Sequence, residues 1–274
     1  ANDSFKPVTK YFDRITRPEQ ILQSLPQAIQ TMLDPAECGP ACLSLCQDVQ
    51  GETFEYPEEF FKERIHYIRR PRPDDFQIKQ AVEKIKNSKK PIIISGGGVF
   101  YSDAMDELGN FAIKHNIPVT QTVMGYSTMK KDHSHFVGPI GGLGGKAANN
   151  LAKETDLAIC IGTKLADFTT GSWANFENPE FKLVSINIAR HDANKHLAEA
   201  VIGDAKVTLT ELSNAIGDWK SSDSWHKKSQ VELKSWNEYV DKESGPTNQE
   251  LPSYAHAVGA IYRNSDPTDI AVTA

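Results

Sequence analysis

Between residues 75 and 216, short apolar runs alternate with stretches of helical periodicity. The runs are rich in Ile, Val and Leu and lack the polar alternation of a strand that has one face in water. The pattern predicts an α/β fold, with a doubly wound, mainly parallel six-stranded sheet and helices on both of its faces. The runs interpreted as strands are PIIIS, IPVTQTV, DLAICIGT, KLVSINI and AVIGD.

The stretches between these runs predict helices. In DDFQIKQAVEKIKNSK the apolar residues recur at nearly helical spacing, and acidic residues at its start and basic residues at its end suit the helix dipole. Its predicted apolar face consists of Phe76, Ile78, Val82 and Ile85. Further helices are predicted in SDAMDELGNFAIKHN, in AKVTLTELSNAIG, and in KAANNLAKE after the glycine-rich loop GPIGGLGG.

The two flanks differ from this regular middle. RPEQILQSLPQAIQTMLD predicts a helix with an apolar side, and ACLSLCQDV predicts one strand. The polar stretch after Gly217 predicts a surface helix and a linker, LPSYAHAVGAIYRNSD a further helix, and DIAVTA, after an Asp266-Pro267 turn, the opening of an apolar strand. Because one helix and one strand cannot enclose a core, we expect the chain to be a piece of a larger enzyme. The apolar side of the first helix comprises Ile21, Leu22, Leu25, Ile29, Met32 and Leu33.

Four cysteines raise the question of a metal site. Cys38, Cys42 and Cys46 lie four residues apart, but the alternation of Cys42 and Cys46 with leucines is typical of a strand, and no ligand pair nearby completes a zinc set. We therefore predict that these residues and Cys160 are small buried thiols in a reducing compartment.

Charge and hydropathy exclude some classes of partner. With 30 Lys and Arg against 36 Asp and Glu the net charge is −6, which argues against nucleic acid or an anionic membrane as a partner. No apolar run approaches the roughly 18 residues of a membrane span, and ANDSFKPVTK lacks the apolar region of a signal peptide. We expect a cytoplasmic protein with a small-molecule ligand.

Glycines cluster where the predicted strands end. Gly96, Gly97 and Gly98 follow PIIIS, and Met124 and Gly125 follow IPVTQTV. Neither SGGGVFYSDA nor GGLGGKAANN fits the spaced glycine fingerprint of dinucleotide-binding proteins or a P-loop. Such loops either hold an anion or permit a tight turn from strand to helix, and the turn is the favoured interpretation.

The loop ADFTTGSWANF is the other candidate for ligand binding. Its hydroxyls and its aromatic ring suit a sugar-like polyol, although an ordinary capping loop explains them equally well. The residues concerned are Thr169, Thr170, Ser172 and Trp173.

Catalytic and metal-binding patterns were also sought in the histidines. The pairs His133/His135 and His191/His196 lack metalloprotease spacing and are predicted to be exposed. No Ser-His-Asp, Cys-His or paired-carboxylate arrangement emerges, so we assign no catalytic and no metal residue from spacing.

A family resemblance adds to this interpretation. The strings KPIIISGGGVFYSDA, HNIPVTQTVMGYSTMKKDHSHFVGPIG, ETDLAICIGTKLADFTTGSW and KLVSINIARHDANKHLAEAVIGDAKVTL resemble, in order and spacing, the Rossmann-like central domain of thiamine-diphosphate enzymes of the acetolactate synthase type. The resemblance implies five segments: the end of a pyrimidine-binding domain (1–57), a linker (58–74), the central domain (75–216), a linker with a surface helix (217–250) and the start of a pyrophosphate-binding domain (251–274).

A narrower likeness concerns the reaction. FKPVTKYFDRITRPEQ, LCQDVQ, YPEEFF and DFTTGSW are similar to the branch of this family that hydrolyses a ring carbon–carbon bond in a cyclic polyol dione of myo-inositol catabolism. The resemblance implies thiamine diphosphate and Mg²⁺ as cofactors and a homo-oligomer, a dimer or tetramer, as the assembly. The family's activating glutamate would lie before residue 1 and its Gly-Asp-Gly magnesium motif after residue 274. We therefore expect no catalytic residue and no bound cofactor on this chain itself.

Flavin-binding relatives hold FAD in the cleft of the same domain, and this sequence departs from their pattern. The arginine-led loop of those relatives corresponds here to the stretch from Lys164 to Asp167, and their acidic adenosine contact corresponds to Asn187 and Ala189. We therefore expect no FAD. Two alternatives stay open: another acetolactate synthase-like enzyme, and a freestanding nucleotide-binding module of the same fold.

Overall fold

The N-terminal region, residues 2–74, contains two parallel strands and one long helix. The computed structural model describes residues 2–266 and 268–271. Strand β1 (Tyr11–Ile15) pairs with strand β2 (Ala41–Leu45), and helix α1 (Ile21–Leu33) connects them. Strand β1 was not predicted, because YFDRI carries two charged residues in five. Short 3-10 helices occupy Asn2–Val8, Pro18–Gln20, Val49–Gly51 and Glu58–Phe61.

Side chains in this region are buried less than the sequence predicted. The fully buried positions of α1 are Ser24 and Ala28, whereas Met32, assigned to its apolar side, is 47% exposed. Cys38 is exposed, and Cys42 and Cys46 are only partly buried. The prediction of buried thiols was thus wrong for these three cysteines, because two strands and one helix leave one side of each element uncovered.

Six parallel strands form the main sheet, in the order β5-β4-β3-β6-β7-β8. This confirms the doubly wound fold expected from the sequence. Five strands coincide with the predicted runs, whereas β5 was not predicted. The strands are β3 (Pro91–Ser95), β4 (Val119–Gln121), β5 (Phe136–Pro139), β6 (Leu157–Ile161), β7 (Lys182–Asn187) and β8 (Glu199–Ile202).

Helices cover both faces of this sheet and create two cores. One core joins helices α2, α4 and α8 to one face, and the other joins α5 and α9 to the opposite face. The helices that follow α1 are α2 (Asp75–Asn87), α3 (Gly97–Tyr101), α4 (Met105–His115), α5 (Lys146–Glu154), α6 (Asp167–Thr170), α7 (Arg190–Ala193), α8 (Ala205–Ile216), α9 (Asp223–Glu243) and α10 (Tyr254–Asn264). A 3-10 turn at Val123–Gly125 follows β4, and another lies at Lys195–Leu197.

Three details correct the sequence-based expectations. Phe76, assigned to the apolar face of α2, is 68% exposed, although Ile78 and Ile85 are buried as expected. Helix α9 is more than a surface helix, since Trp225 is only 3% exposed and packs in the second core. The predicted C-terminal strand is not formed at residues 269–271, and its remaining residues, 272–274, lie outside the described part of the chain, as does Pro267 of the predicted turn.

Candidate functional site

The strand order creates a crevice at one edge of the main sheet. From β3 the chain crosses to β4 on one side, and from β6 it crosses to β7 on the other, so the loops that leave these two adjacent strands diverge. Doubly wound sheets bind ligands at this point, outside the carboxyl ends of the strands. The candidate residues follow β3 (Gly96, Gly97, Gly98), β4 (Met124, Gly125) and β6 (Lys164, Asp167, Thr169, Thr170, Ser172, Trp173).

The glycine loop after β3 packs directly on the loop after β6. The amide of Gly98 donates to the carbonyl of Gly162 at 3.0 Å, and a Cβ on Gly98 would lie 2.6 Å from the Cα of Gly162. A Cβ on Gly96 would clash with the carbonyl oxygen of Gly162, and Gly162 itself has a φ of +61°. Glycine is therefore required here by the contact between two backbones, which supports the tight-turn interpretation.

The turn after β4 is also fixed by internal hydrogen bonds. Thr122 Oγ1 accepts from the amide of Gly125 at 3.0 Å, and Thr128 Oγ1 donates to the Gly125 carbonyl at 2.7 Å. A Cβ on Gly125 would collide with the carbonyl of Ser95. The side chain of Met124, by contrast, is 74% exposed and projects from this rigid turn.

Past β6, the charged candidates lie at the surface. Lys164 is exposed and lies 4.0 Å from a carboxylate oxygen of Asp192, and Asp167 is exposed at the start of α6. Asn187 occupies the position where a ribose-binding acid would lie, and its side chain bonds the Thr163 carbonyl (3.3 Å) and the Ala189 amide (3.0 Å). The side-chain amide of Asn187 thus links two loops: its nitrogen donates a hydrogen bond within the protein, and its oxygen accepts one.

The four candidates of the DFTTGSW loop separate into two pairs. Thr170 is fully buried, and its hydroxyl accepts from the Trp173 amide at 3.2 Å and donates to the Asp167 carbonyl at 3.4 Å. Trp173 is half-buried, with its ring 4.6 Å from that of His196. Thr169 is partly exposed and Ser172 is exposed, with a φ of +54°. Thr169 and Ser172 are thus the more accessible hydroxyl residues of the loop, while Thr170 and Trp173 contribute to its packing.

One pair of the loop histidines departs from the expected exposure. His135 is 6% exposed and His133 is partly buried, so the prediction of exposed side chains was wrong for this pair, whereas His191 and His196 are exposed as expected. Burial, together with the neighbouring rings of His226 and His133, lowers the pKa of His135 to about 4. This cluster lies before β5, away from the crevice at the carboxyl edge.

Apolar side chains surround the crevice, a feature that the sequence did not reveal. They come from the connections that follow β3, β4, β5 and β6, and each is more than half exposed, so only the folded sheet brings them to one edge. Gln121 at the end of β4 is 4% exposed, and its Oε1 has no hydrogen-bond partner among the described residues. The apolar rim comprises Phe100, Tyr101, Met124, Tyr126, Leu143 and Phe168.

Residues 2–266 and 268–271 contain neither a cluster of metal ligands nor a membrane-spanning helix. Within these residues, no group of three or more His, Cys, Asp or Glu side chains is placed to hold a metal ion. Nor does any helix in the described part of the chain have the length and apolar character needed to cross a membrane.

The arrangement matches a known family. Residues 78–212, which include the whole six-stranded sheet, match the family model described as "Thiamine pyrophosphate enzyme, central domain". The match confirms, over these residues, the similarity to the central domain of thiamine pyrophosphate enzymes that the sequence resemblance predicted.

Curated relatives extend the likeness beyond the sheet. The chain is 44% identical over 242 residues to the 3D-(3,5/4)-trihydroxycyclohexane-1,2-dione hydrolase of Clostridium perfringens (strain 13 / Type A), covering 88% of this chain and 38% of that protein. Proteins of the same name from Clostridium botulinum (strain Alaska E43 / Type E3) and Bacillus subtilis (strain 168) are 48% identical over 212 residues and 44% identical over 221. The alignments cover 77% and 81% of this chain, and 33% and 35% of those proteins. The chain thus spans about a third of the length of these relatives.

Proposed function

We propose that this chain is the central part of a thiamine-diphosphate- and magnesium-dependent enzyme that hydrolyses a ring carbon–carbon bond of trihydroxycyclohexane-1,2-dione in myo-inositol catabolism. The observation that carries the proposal is the 44–48% identity to hydrolases of that name, over as much as 88% of the chain. Bound thiamine diphosphate would supply the nucleophilic carbon that attacks a ring carbonyl.

In that enzyme, this chain would position the loops at the carboxyl edge of the sheet and shield the active site that they border. The carboxyl edge is the surface best suited to the substrate side. There Thr169 and Ser172 present hydroxyls from a loop that Thr170 stabilises internally, and a cyclic polyol offers matching donors and acceptors. The loop would line the entrance to the active site.

A chimera tests the proposal. The segment of the Bacillus subtilis hydrolase that aligns with this chain is replaced by this chain's residues, and ring opening is assayed with thiamine diphosphate and Mg²⁺. We expect an assembled protein with measurable turnover, because a segment that is 44% identical should adopt the same fold in its place. A folded chimera that assembles like the parent, binds both cofactors and has no turnover would contradict the proposal.

The alternative of a freestanding nucleotide-binding module predicts a different result. It requires the isolated chain to bind FAD or an adenine nucleotide at micromolar concentration, which calorimetric titration measures. The engaged amide of Gly98 and the engaged side chain of Asn187 argue against such binding. The dimeric or tetrameric assembly and the cytoplasmic location expected from the sequence stay predictions.

A further inference from the structure

Histidine rings meet where helix α9 contacts the edge of the main sheet. His135, which directly precedes β5, stacks on His226 of α9 with ring centroids 4.2 Å apart and an angle of 19° between the planes. The ring of His133 lies 5.9 Å from that of His135. The stacked pair thus joins two segments that are distant in the sequence, and neither ring belongs to the candidate site.

The hydrogen bonds of Asn116 place a proton on Nε2 of His135. The side-chain amide nitrogen of Asn116 donates to the Ser221 carbonyl (3.2 Å) and to an Asp223 carboxylate oxygen (3.1 Å), so its oxygen is the atom that faces His135. That oxygen accepts from Nε2–H of His135 at 3.2 Å, and Nδ1 accepts from the hydroxyl of Ser134 at 2.9 Å. The network is complete while the imidazole is neutral.

Protonation of the pair is opposed from several sides. Burial lowers the pKa of His135, His226 and His133, and two cationic rings 4.2 Å apart would repel each other. Nδ1 of His226 is buried and has no hydrogen-bond partner among the described residues. The nearby carboxylates act in the opposite direction but more weakly: Asp223 on α9 favours charged His226, and Asp132 favours charged His133.

We infer that the stacked pair of His135 and His226 is an acid-sensitive latch, which holds the start of α9 on the sheet while both rings are neutral and opens when they are protonated. The opening exposes Trp225, which precedes His226 in α9, is buried, and donates from Nε1–H to the Pro91 carbonyl at 2.8 Å. Contacts further along α9, from Lys228 to Glu154 (2.7 Å) and from Glu232 to Asn150 (2.8 Å), limit the movement to the start of the helix.

The direction of the pH dependence follows from the lowered pKa. A histidine has a pKa near 6.5 when the latch is open and solvated, against about 4 for His135 when it is closed. The stabilisation is therefore complete above pH 6.5 and is lost as the pH falls towards 4. His135 alone raises the opening equilibrium about 25-fold between pH 7.5 and pH 5.

Hydrogen exchange of the purified chain, read by mass spectrometry at pH 7.5 and pH 5, tests the latch. After correction for the pH dependence of intrinsic exchange, we expect the opening equilibrium of amides near the start of α9 to rise about 25-fold. Amides of α2, which lies on the opposite face of the sheet, serve as the internal reference and should change little. Equal changes in α9 and α2 would overturn the inference.

Matched variants separate the latch from general acid unfolding. His135→Gln removes the titrating ring, and we expect the α9 response to fall below about 3-fold. His226→Phe keeps an aromatic stack without charge and should lower the response less. The exposed His191→Gln is the control and should retain the full response.

An unchanged response in both latch variants would overturn the inference. If His135→Gln fails to fold by circular dichroism, His226→Phe and the ratio of α9 to α2 in the unmodified chain decide.

Discussion

Two parallel sheets in the same chain differ sharply in burial. Every residue of β3 and of β6 in the main sheet is buried, whereas the pair β1 and β2 has mostly half-buried positions. The sequence of β2, ACLSL, is nearly as apolar as that of β6, LAICI. The contrast shows that burial comes from the layers above and below a strand, and only two strands and one helix are available in the N-terminal region.

Thiol labelling at pH 8 under native conditions is the strongest test of this contrast. Cys160 is fully buried in β6, and burial raises the pKa of its thiol, so both access and thiolate formation are suppressed. We expect Cys38, Cys42 and Cys46 to react first, and Cys160 to react roughly 1000-fold more slowly or slower still, because its exposure requires unfolding.

A Cys160→Ser variant should lose only the slow phase of that reaction. Protection of the three N-terminal cysteines equal to that of Cys160 would show that their surfaces are covered in solution, and the contrast between the two sheets would then fail.

A matched pair of truncations measures the same contrast as stability. Ile159 in β6 is fully buried, and Leu43 in β2 is only partly buried. We expect Ile159→Ala to lower the free energy of unfolding by about 2–5 kcal/mol, through lost burial and a cavity that cannot collapse, and Leu43→Ala to lower it by about 1 kcal/mol. Urea unfolding followed by circular dichroism gives both values. Equal losses would mean that β2 is as well packed as β6.

The same physics explains which strands the sequence could predict. Strands buried on both faces stand out as continuous apolar runs, as in β3 and β6. Strand β5 was missed because FVGP ends in Gly and Pro, which usually mark a turn. In the fold Gly138 has a φ of +104°, where the pairing of β5 with β4 shifts register. Strand β5 exists because β4 offers it an edge, and a local pattern does not contain that information.

The candidate site was predictable in position and less so in the use of its side chains. Loops that end parallel strands meet at one edge, so the sequence placed Gly98 and Thr169 correctly at the carboxyl edge. It did not reveal that the Gly162 carbonyl accepts a hydrogen bond from the Gly98 amide, or that Thr170 is buried while Thr169 is partly exposed. The stacking of His135 on His226 likewise depends on a partner far along the chain.

Alanine at glycine positions distinguishes a required close contact from an open turn. A Cβ on Gly98 would lie 2.6 Å from the Cα of Gly162, where two backbones are in direct contact, whereas nothing lies within 4 Å of a Cβ on Gly51. We expect Gly98→Ala to cost about 1–3 kcal/mol of unfolding free energy and Gly51→Ala less than about 0.5 kcal/mol. Thermal and urea unfolding provide the values. A neutral Gly98→Ala would mean that the two loops separate easily, which would reopen the crevice to a ligand.

The smallest expected effect separates two adjacent threonines of the DFTTGSW loop. Thr170→Ala removes a buried hydroxyl that bonds the Trp173 amide, so we expect a loss of about 1 kcal/mol and a lower melting temperature, by about 2–4 °C. Thr169→Ala removes a partly exposed hydroxyl and should leave the melting temperature nearly unchanged.

In the chimeric hydrolase the order of the two effects should reverse. Thr169→Ala should raise KM by up to about tenfold, because one hydrogen bond to the substrate is lost. Thr170→Ala should act mainly through stability. Unchanged KM in Thr169→Ala, with normal folding, would make the loop a packing element and remove it from the proposed entrance.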